Sequence, residues 1–245
     1  MVRLRVEHDH PGVSTVTLPT GTHTQLVDLL RGARVVLLDF DGPVAHLFAG
    51  HPAPDVAAAV RQFATVRGID LTEVRTDDPL VLLRVAYRHS PESGRDVEAH
   101  VIEHETRAAA VAEPAPGAHE LIRTVVATGR TVLVVSNNSE RAIRTYLARH
   151  DLTEHVAHII GRPFGHPEQM KPDPHLLHAA LDIARAAPAD AVFVGDSITD
   201  ALAGVAAGVP CIGYAKRPER AEGLTDADAL LVVDDMHTIA TALRP

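Results

Sequence analysis

The sequence predicts an α/β fold, a parallel sheet interleaved with helices, with a helical domain inserted behind the first strand. Three observations predict it. From Arg34 onward short β-branched runs alternate with helical stretches, the pattern of strands that pair in parallel through helical crossovers. The first run, Ala33 to Phe40, is almost wholly apolar, as a strand covered on both faces must be. Between Pro43 and Pro116 the alternation stops, and Ala- and Arg-rich helical pieces take its place.

Residues 1–33 read as an N-terminal extension, a strand or hairpin followed by a short helix over His23–Arg31. The catalytic core comprises residues 34–42 and 117–245, and residues 43–116 form a helical cap domain. Within the cap the helical pieces are Asp55–Arg67, Pro79–His89 and Arg95–Val111, with no convincing strand. The run Glu113–Gly117 (EPAPG) restores the α/β pattern. Further strands are expected at Thr131–Ser136, Ala191–Gly195 and Ala229–Val233, with weaker signals at His155–Ile160 and Val209–Tyr214. The helices between them are Ala118–Ala127, Ser139–His150, Pro174–Ala186 and Thr199–Ala207. Gly129 and Gly208 stand just past two of these, where helix C-caps belong.

Composition bounds the function. A chain of 245 residues, 46% hydrophobic and 22% charged, supports a sizeable core and excludes wholesale disorder. A net charge of −9 disfavours nucleic acid and anionic membrane as partners. No apolar run has bilayer length, and the opening MVRLRVEHDHPGVST lacks a signal-peptide core. A lone cysteine, Cys211, makes no internal disulfide, and a cytoplasmic location is expected. In an apolar run after Pro210, it reads as a buried small hydrophobe. Only two lysines occur, Lys171 and Lys216, so where a lysine stands is informative.

Parallel strands present their C-terminal ends at one edge, where ligands bind. Three strands here end in polar runs: Asp39-Phe40-Asp41-Gly42, Ser136-Asn137-Asn138, and Gly195-Asp196-Ser197-Ile198-Thr199-Asp200. A fourth segment, Lys171-Pro172-Asp173-Pro174, opens a helix between the last two. Each has a plain structural reading taken alone: a capped turn, a helix N-cap, a solvated lysine. Together, in this order at strand ends, they suit one chemistry. Asp39, Asp196 and Asp200 make a hard oxygen cage for Mg²⁺, and one carboxylate can attack phosphorus. Asp41 projects on the same side as Asp39 and can protonate a leaving alkoxide. Ser136, Asn137 and backbone N–H groups can hold phosphoryl oxygens, and Lys171 can neutralise charge.

At these residues the sequence resembles the haloacid dehalogenase-like superfamily, in particular the phosphatase branch with a C1-type helical cap (phosphoglycolate phosphatase and beta-phosphoglucomutase-like). The resemblance covers about residues 34–235 and implies a Rossmann-like core. It implies Asp39 as nucleophile and Mg²⁺ ligand, and Asp41 as acid/base with its carbonyl on the metal. Ser136 and Lys171 would bind the phosphoryl group, Asp196 the metal directly, and Asp200 would support the metal or its waters. The implied activity is Mg²⁺-dependent hydrolysis of a small phosphorylated metabolite through an aspartyl-phosphate. Two alternatives stand beside it: a sugar-phosphate mutase, for which His51 lies at the spacing of a hinge histidine, and a non-catalytic relative that binds a phosphorylated ligand. Pro43 departs from the usual residue after Asp-Gly and stiffens the entry to the cap. In the cap, Arg84 and Arg88 share a helix face and are candidate substrate contacts. His100 and His104, at metal-compatible spacing but without a third ligand, read as a solvated pair. Phe48 and Phe63 are expected to pack the cap or its junction.

Overall fold

The structure, a computed structural model, describes residues 20–244. The expected strand or hairpin at the very N-terminus falls in residues 1–19, outside that range. Helix α1 (Thr20–Gly32) leads into β1 (Val35–Leu38), and a two-residue strand β2 (Ala45–His46) follows. Three helices come next, α2 (Ala53–Val66), α3 (Pro79–His89) and α4 (Pro91–Ala109), then a second two-residue strand, β3 (Glu113–Pro114). The chain continues through α5 (Ala118–Ala127), β4 (Thr131–Val135), α6 (Glu140–Arg149), β5 (His158–Ile160), α7 (His175–Ala184), β6 (Ala191–Gly195) and α8 (Ile198–Ala207). It closes with β7 (Cys211–Tyr214), α9 (Glu219–Asp226), β8 (Leu231–Val233) and α10 (Met236–Leu243).

Six strands form one parallel sheet in the order β5-β4-β1-β6-β7-β8. The central strand is β1, with Leu38 level with Val134 on one side and Val194 on the other. Alternation along the strands feeds two apolar cores. Val36, Leu38, Val132, Val134, Val192 and Val194 pack on one face with α1, α5, α6 and α10. Val35, Leu37, Leu133, Val135 and Phe193 pack on the other with α7 and α8. Burial on both faces is why these strands are apolar at nearly every position.

Helices α2, α3 and α4 build a third cluster around Val56, Val60, Leu82, Leu83, Val97 and Val101. Helix α4 also reaches beyond it: Ala108 and Ala109 at its end belong to a sheet core. It begins earlier than the sequence suggests because Ser90 caps it and Pro91 occupies its first position. Where no convincing strand was expected, Ala45 and His46 pair antiparallel with Pro114 and Glu113, tying the two connections to the helical segment. The pair is too short to leave a period in the sequence. Leu26 and Leu30 of α1 are fully buried in the same core as β1, so this part of the N-terminal extension packs as a core element. Gly208 ends α8 in the left-handed conformation, and Gly129 adopts it just past α5.

Candidate active site

The polar strand ends converge on one cleft of about 580 Å³ at the C-terminal edge of the sheet. Asp39 and Asp41 follow β1, Ser136 and Asn137 follow β4, and Asp196 and Asp200 follow β6. All line the cleft together with Lys171. The buried Lys171 Nζ donates to Asp39 Oδ1 at 2.8 Å and to the Val135 carbonyl at 3.2 Å, and lies 2.5 Å from Asp200 Oδ1. Asp200 in turn is fully buried. Its Oδ2 accepts from the Ser197 N–H at 3.0 Å and the Asp196 N–H at 3.2 Å, closing a capping box at the start of α8. The turn is that tight because a Cβ on Gly195 would lie 2.3 Å from Asp200 Cβ.

The carboxylates strain against one another. Burial first, and then the charges of Asp39, Asp200 and Asp41, push Asp196 up to about 8. Burial and the Asp200 charge push Asp39 up to about 6, against the pull of Lys171. Burial also raises Asp41 above the usual carboxylate range, while the Leu47 N–H, donating to its Oδ1 at 3.0 Å, holds it down. Carboxylate oxygens of Asp39, Asp196 and Asp200 lie within 4.8 Å of one another. Such crowded hard-oxygen donors, with Asp39 and Asp196 disfavoured in the ionised state by burial and then by neighbouring charge, fit a divalent cation of the Mg²⁺ type.

Some sequence-predicted residues are placed differently from their fellows. The side chain of Asn137 is engaged with the Lys171 backbone, accepting from its N–H at 2.8 Å and donating to its carbonyl at 3.1 Å. It lines the cleft, yet its side-chain contacts position Lys171. Arg84 donates to the same Lys171 carbonyl at 3.1 Å and is half-buried. Arg88, four residues on, is exposed at the end of α3. Neither arginine lines the cleft. The wall facing the aspartates is instead Phe48, Ala53 and the segment Thr76–Leu80, which carries no sequence signal beyond a helix N-cap at Asp78. Two further cations reach the rim unforeseen: Arg220 Nη1, 3.3 Å from Asp196 Oδ2, and Lys216 Nζ, 2.7 Å from His46 Nδ1.

Of the expected solvated histidine pair, His104 is not solvated and His100 is half-buried. His104 is buried and its Nδ1 lies 2.9 Å from His51 Nε2, while His100 stacks on Phe63. The packing of α4 against the connection after β2 turns that helix face inward. Cys211 is buried and its thiol is pushed up to about 12 by burial, so it is an inert packing group.

The chain belongs to the haloacid dehalogenase-like hydrolase family, whose model matches residues 15–208. Its relatives set it on the phosphatase branch of that family. It is 28% identical over 227 residues to phosphoglycolate phosphatase 1 of Pseudomonas aeruginosa, a match covering 85% of this chain and 79% of that one. With the phosphoglycolate phosphatase of Pseudomonas putida KT2440 it shares 29% over 124 residues, 51% of this chain and 45% of that one. Among solved structures, one described as a predicted phosphatase from Clostridium acetobutylicum superposes with a TM-score of 0.68 at 15% identity. It covers 85% of this chain and 97% of that one, a likeness of fold. Among the described residues no helix is long and apolar enough to cross a membrane.

Proposed function

We propose that this chain is a Mg²⁺-dependent phosphatase of a small phosphorylated metabolite, with phosphoglycolate the first substrate to try because curated relatives carry that name. The observation that carries the reading is the convergence of Asp39, Asp41, Ser136, Lys171, Asp196 and Asp200 on one cleft. Asp39 Oδ1 is held by Lys171, which leaves Oδ2 to attack phosphorus. The Oδ2–P bond forms as the ester P–O bond breaks, and Asp41 gives its proton to the departing alkoxide. Burial raises Asp41, the direction that favours its carrying that proton. A water then attacks phosphorus, returns a proton to Asp41 and releases phosphate, restoring Asp39. Ser136 and the backbone of the turn after β4 hold the phosphoryl oxygens, and Lys171 offsets their charge.

Asp39, Asp196 and the Asp41 carbonyl would hold Mg²⁺, with Asp200 supporting them. The bound ion supplies Lewis-acid neutralisation of the phosphoryl charge. Residues 43–116 serve as the cap, which closes the cleft with Phe48 and Thr76–Leu80 and limits substrates to small ones. The mutase alternative gains no support from His51, which faces His104 and does not line the cleft. The test is phosphate release from an aryl phosphate and from phosphoglycolate, with Mg²⁺ and with EDTA. Release in Mg²⁺ alone, falling by a factor of about 10³ or more in Asp39→Asn, is expected. Activity surviving that substitution intact overturns the mechanism.

A further inference from the structure

Away from the cleft, three charged side chains are buried as completely as any in the molecule, and they form one cluster. Arg162, in the loop after β5, is 0% exposed, and Glu98 and Glu105 on α4 are 1% and 0% exposed. Arg162 Nε donates to Glu98 Oε1 at 2.7 Å, and Nη1 and Nη2 donate to the two oxygens of Glu105 at 2.9 and 3.3 Å. One guanidinium thus faces two carboxylates. The second negative charge is met by dipoles: the Tyr87 hydroxyl and Gly165 N–H on Glu98, and the Ser139 N–H and Asn138 Nδ2 on Glu105.

Four hydrogen bonds of the group fall on the turn that follows β4. Arg162 Nη1 donates to the Asn137 carbonyl at 2.6 Å, its own N–H donates to the Asn138 carbonyl at 3.0 Å, and Glu105 holds Ser139 and Asn138. Gly161 lets the two loops meet, since a Cβ there would lie 2.5 Å from the Glu140 nitrogen. The turn's inner side is bound to the catalytic lysine: Asn137 holds the Lys171 backbone on both its N–H and its carbonyl. The cluster touches none of the reacting carboxylates.

We infer that Arg162 and Glu105 are positioning residues for the phosphoryl-binding turn Ser136–Ser139, setting its backbone and, through Asn137, Lys171 from behind. The inference rests on the phosphatase reading and adds residues that no motif contains. Because Glu105 lies on α4, the helical segment and the phosphoryl-binding turn are set by one ionic group. Glu98 supplies the control. It completes the charge of Arg162 and holds Tyr87 and Gly165, but has no atom on the turn.

The experiment compares the competitive inhibition constant of inorganic phosphate, KM, kcat and thermal midpoint for wild type, Glu105→Gln, Arg162→Lys and Glu98→Gln. Glu105→Gln and Arg162→Lys are expected to raise KM and the phosphate inhibition constant about ten-fold, the loss of one charge-assisted hydrogen bond. Glu98→Gln is expected to lower the thermal midpoint as much as Glu105→Gln does, yet leave phosphate inhibition within about two-fold of wild type. Equal losses of midpoint in all three, with phosphate inhibition unmoved, would show a purely structural cluster and overturn the inference. If Arg162→Lys does not fold, the near-isosteric Glu105→Gln decides the matter against Glu98→Gln. A wild type that neither releases nor binds phosphate overturns the phosphatase reading, a result distinct from failure of the variants.

Discussion

Lys171 is the residue on which the electrostatics of the cleft turn. Its ammonium is 2% exposed, lies between Asp39 and Asp200, and is the only lysine among the cleft-lining residues. Both carboxylates raise its affinity for a proton against the effect of burial, so it stays charged. Removing one partner of a buried pair leaves the others uncompensated, at a cost of about 3–5 kcal/mol. Lys171→Met is therefore expected to lose about that much stability in EDTA, measured by urea denaturation, and to slow phosphate release at least about 100-fold. Gly42 matters for a different reason. Its φ is +119°, and a Cβ there would lie 2.3 Å from the Asp196 carboxyl carbon. Gly42→Ala should displace Asp196, weakening Mg²⁺ binding measured by calorimetry and activity together. Unchanged Mg²⁺ affinity would mean that the turn relaxes elsewhere.

Among the elements, α4 is the one shared by the helical segment and the sheet. Val97 and Val101 pack with α2 and α3, Ala108 and Ala109 pack with the sheet core, and Arg162 grips the helix between them. Helix α3 approaches it closely at Gly94, where a Cβ would lie 2.2 Å from the Tyr87 ring. Gly94→Ala must push the two helices apart, and a loss of about 1–3 kcal/mol is expected from overpacking. The thermal midpoint measures it, and an unchanged midpoint would contradict that packing. Since α4 is anchored to both cores, its amides should exchange more slowly than those of α2 and α3 in native-state hydrogen exchange. Faster exchange in α4 would show that the ionic cluster does not hold it.

For the whole molecule, the proposed Mg²⁺ site makes pH and metal linked variables, expected to act in opposite ways. The folded-state value of about 8 for Asp196 stands above that of an unfolded aspartate, so the folded chain binds the extra proton. Its contribution is complete below the unfolded value and is lost as pH rises through about 8. Burial pushes His104 and His119 down to about 4, so their effect is the reverse: stability falls as pH drops from the ordinary histidine range toward 4. The same holds for His46 and His100, which burial also lowers. Only about a unit above the ordinary histidine value of about 6.5 are these histidines neutral in both states, and there the aspartates dominate the slope. In EDTA the thermal midpoint should fall as pH rises from about 7.5 through the Asp196 value of about 8, and Asp196→Asn should flatten that fall. Mg²⁺ competes with the same protons, so its stabilising effect should grow across the range and reach about 2.7 kcal/mol at 100 times its dissociation constant. A midpoint in EDTA that rises with pH would contradict the buried aspartate cluster.

The parallel sheet and the residue types gathered at its edge were legible in the amino-acid sequence. Both are local signals: apolar runs buried on two faces, and polar residues at strand ends that topology brings together. The helices of the inserted segment were legible as Ala- and Arg-rich pieces, although that reading passes over the Ser90-Pro91 start of α4. The features that were not legible lie between residues far apart in the chain. Arg162 meets Glu98 and Glu105 across 64 and 57 positions, and a charged residue on a helix looks the same in sequence whether it faces water or a buried guanidinium. His104 read as solvated because nothing near it in sequence announces His51, 53 residues away. Asn137 carried the right residue type for phosphate, but its side chain was committed to Lys171 by a loop 34 positions on. The cleft wall at Thr76–Leu80 had no motif at all, because its place is set by how α3 docks. Periodicity and strand-end chemistry are written in neighbouring residues; which buried charges meet, and what they hold in place, depends on contacts that exist only once the chain has folded.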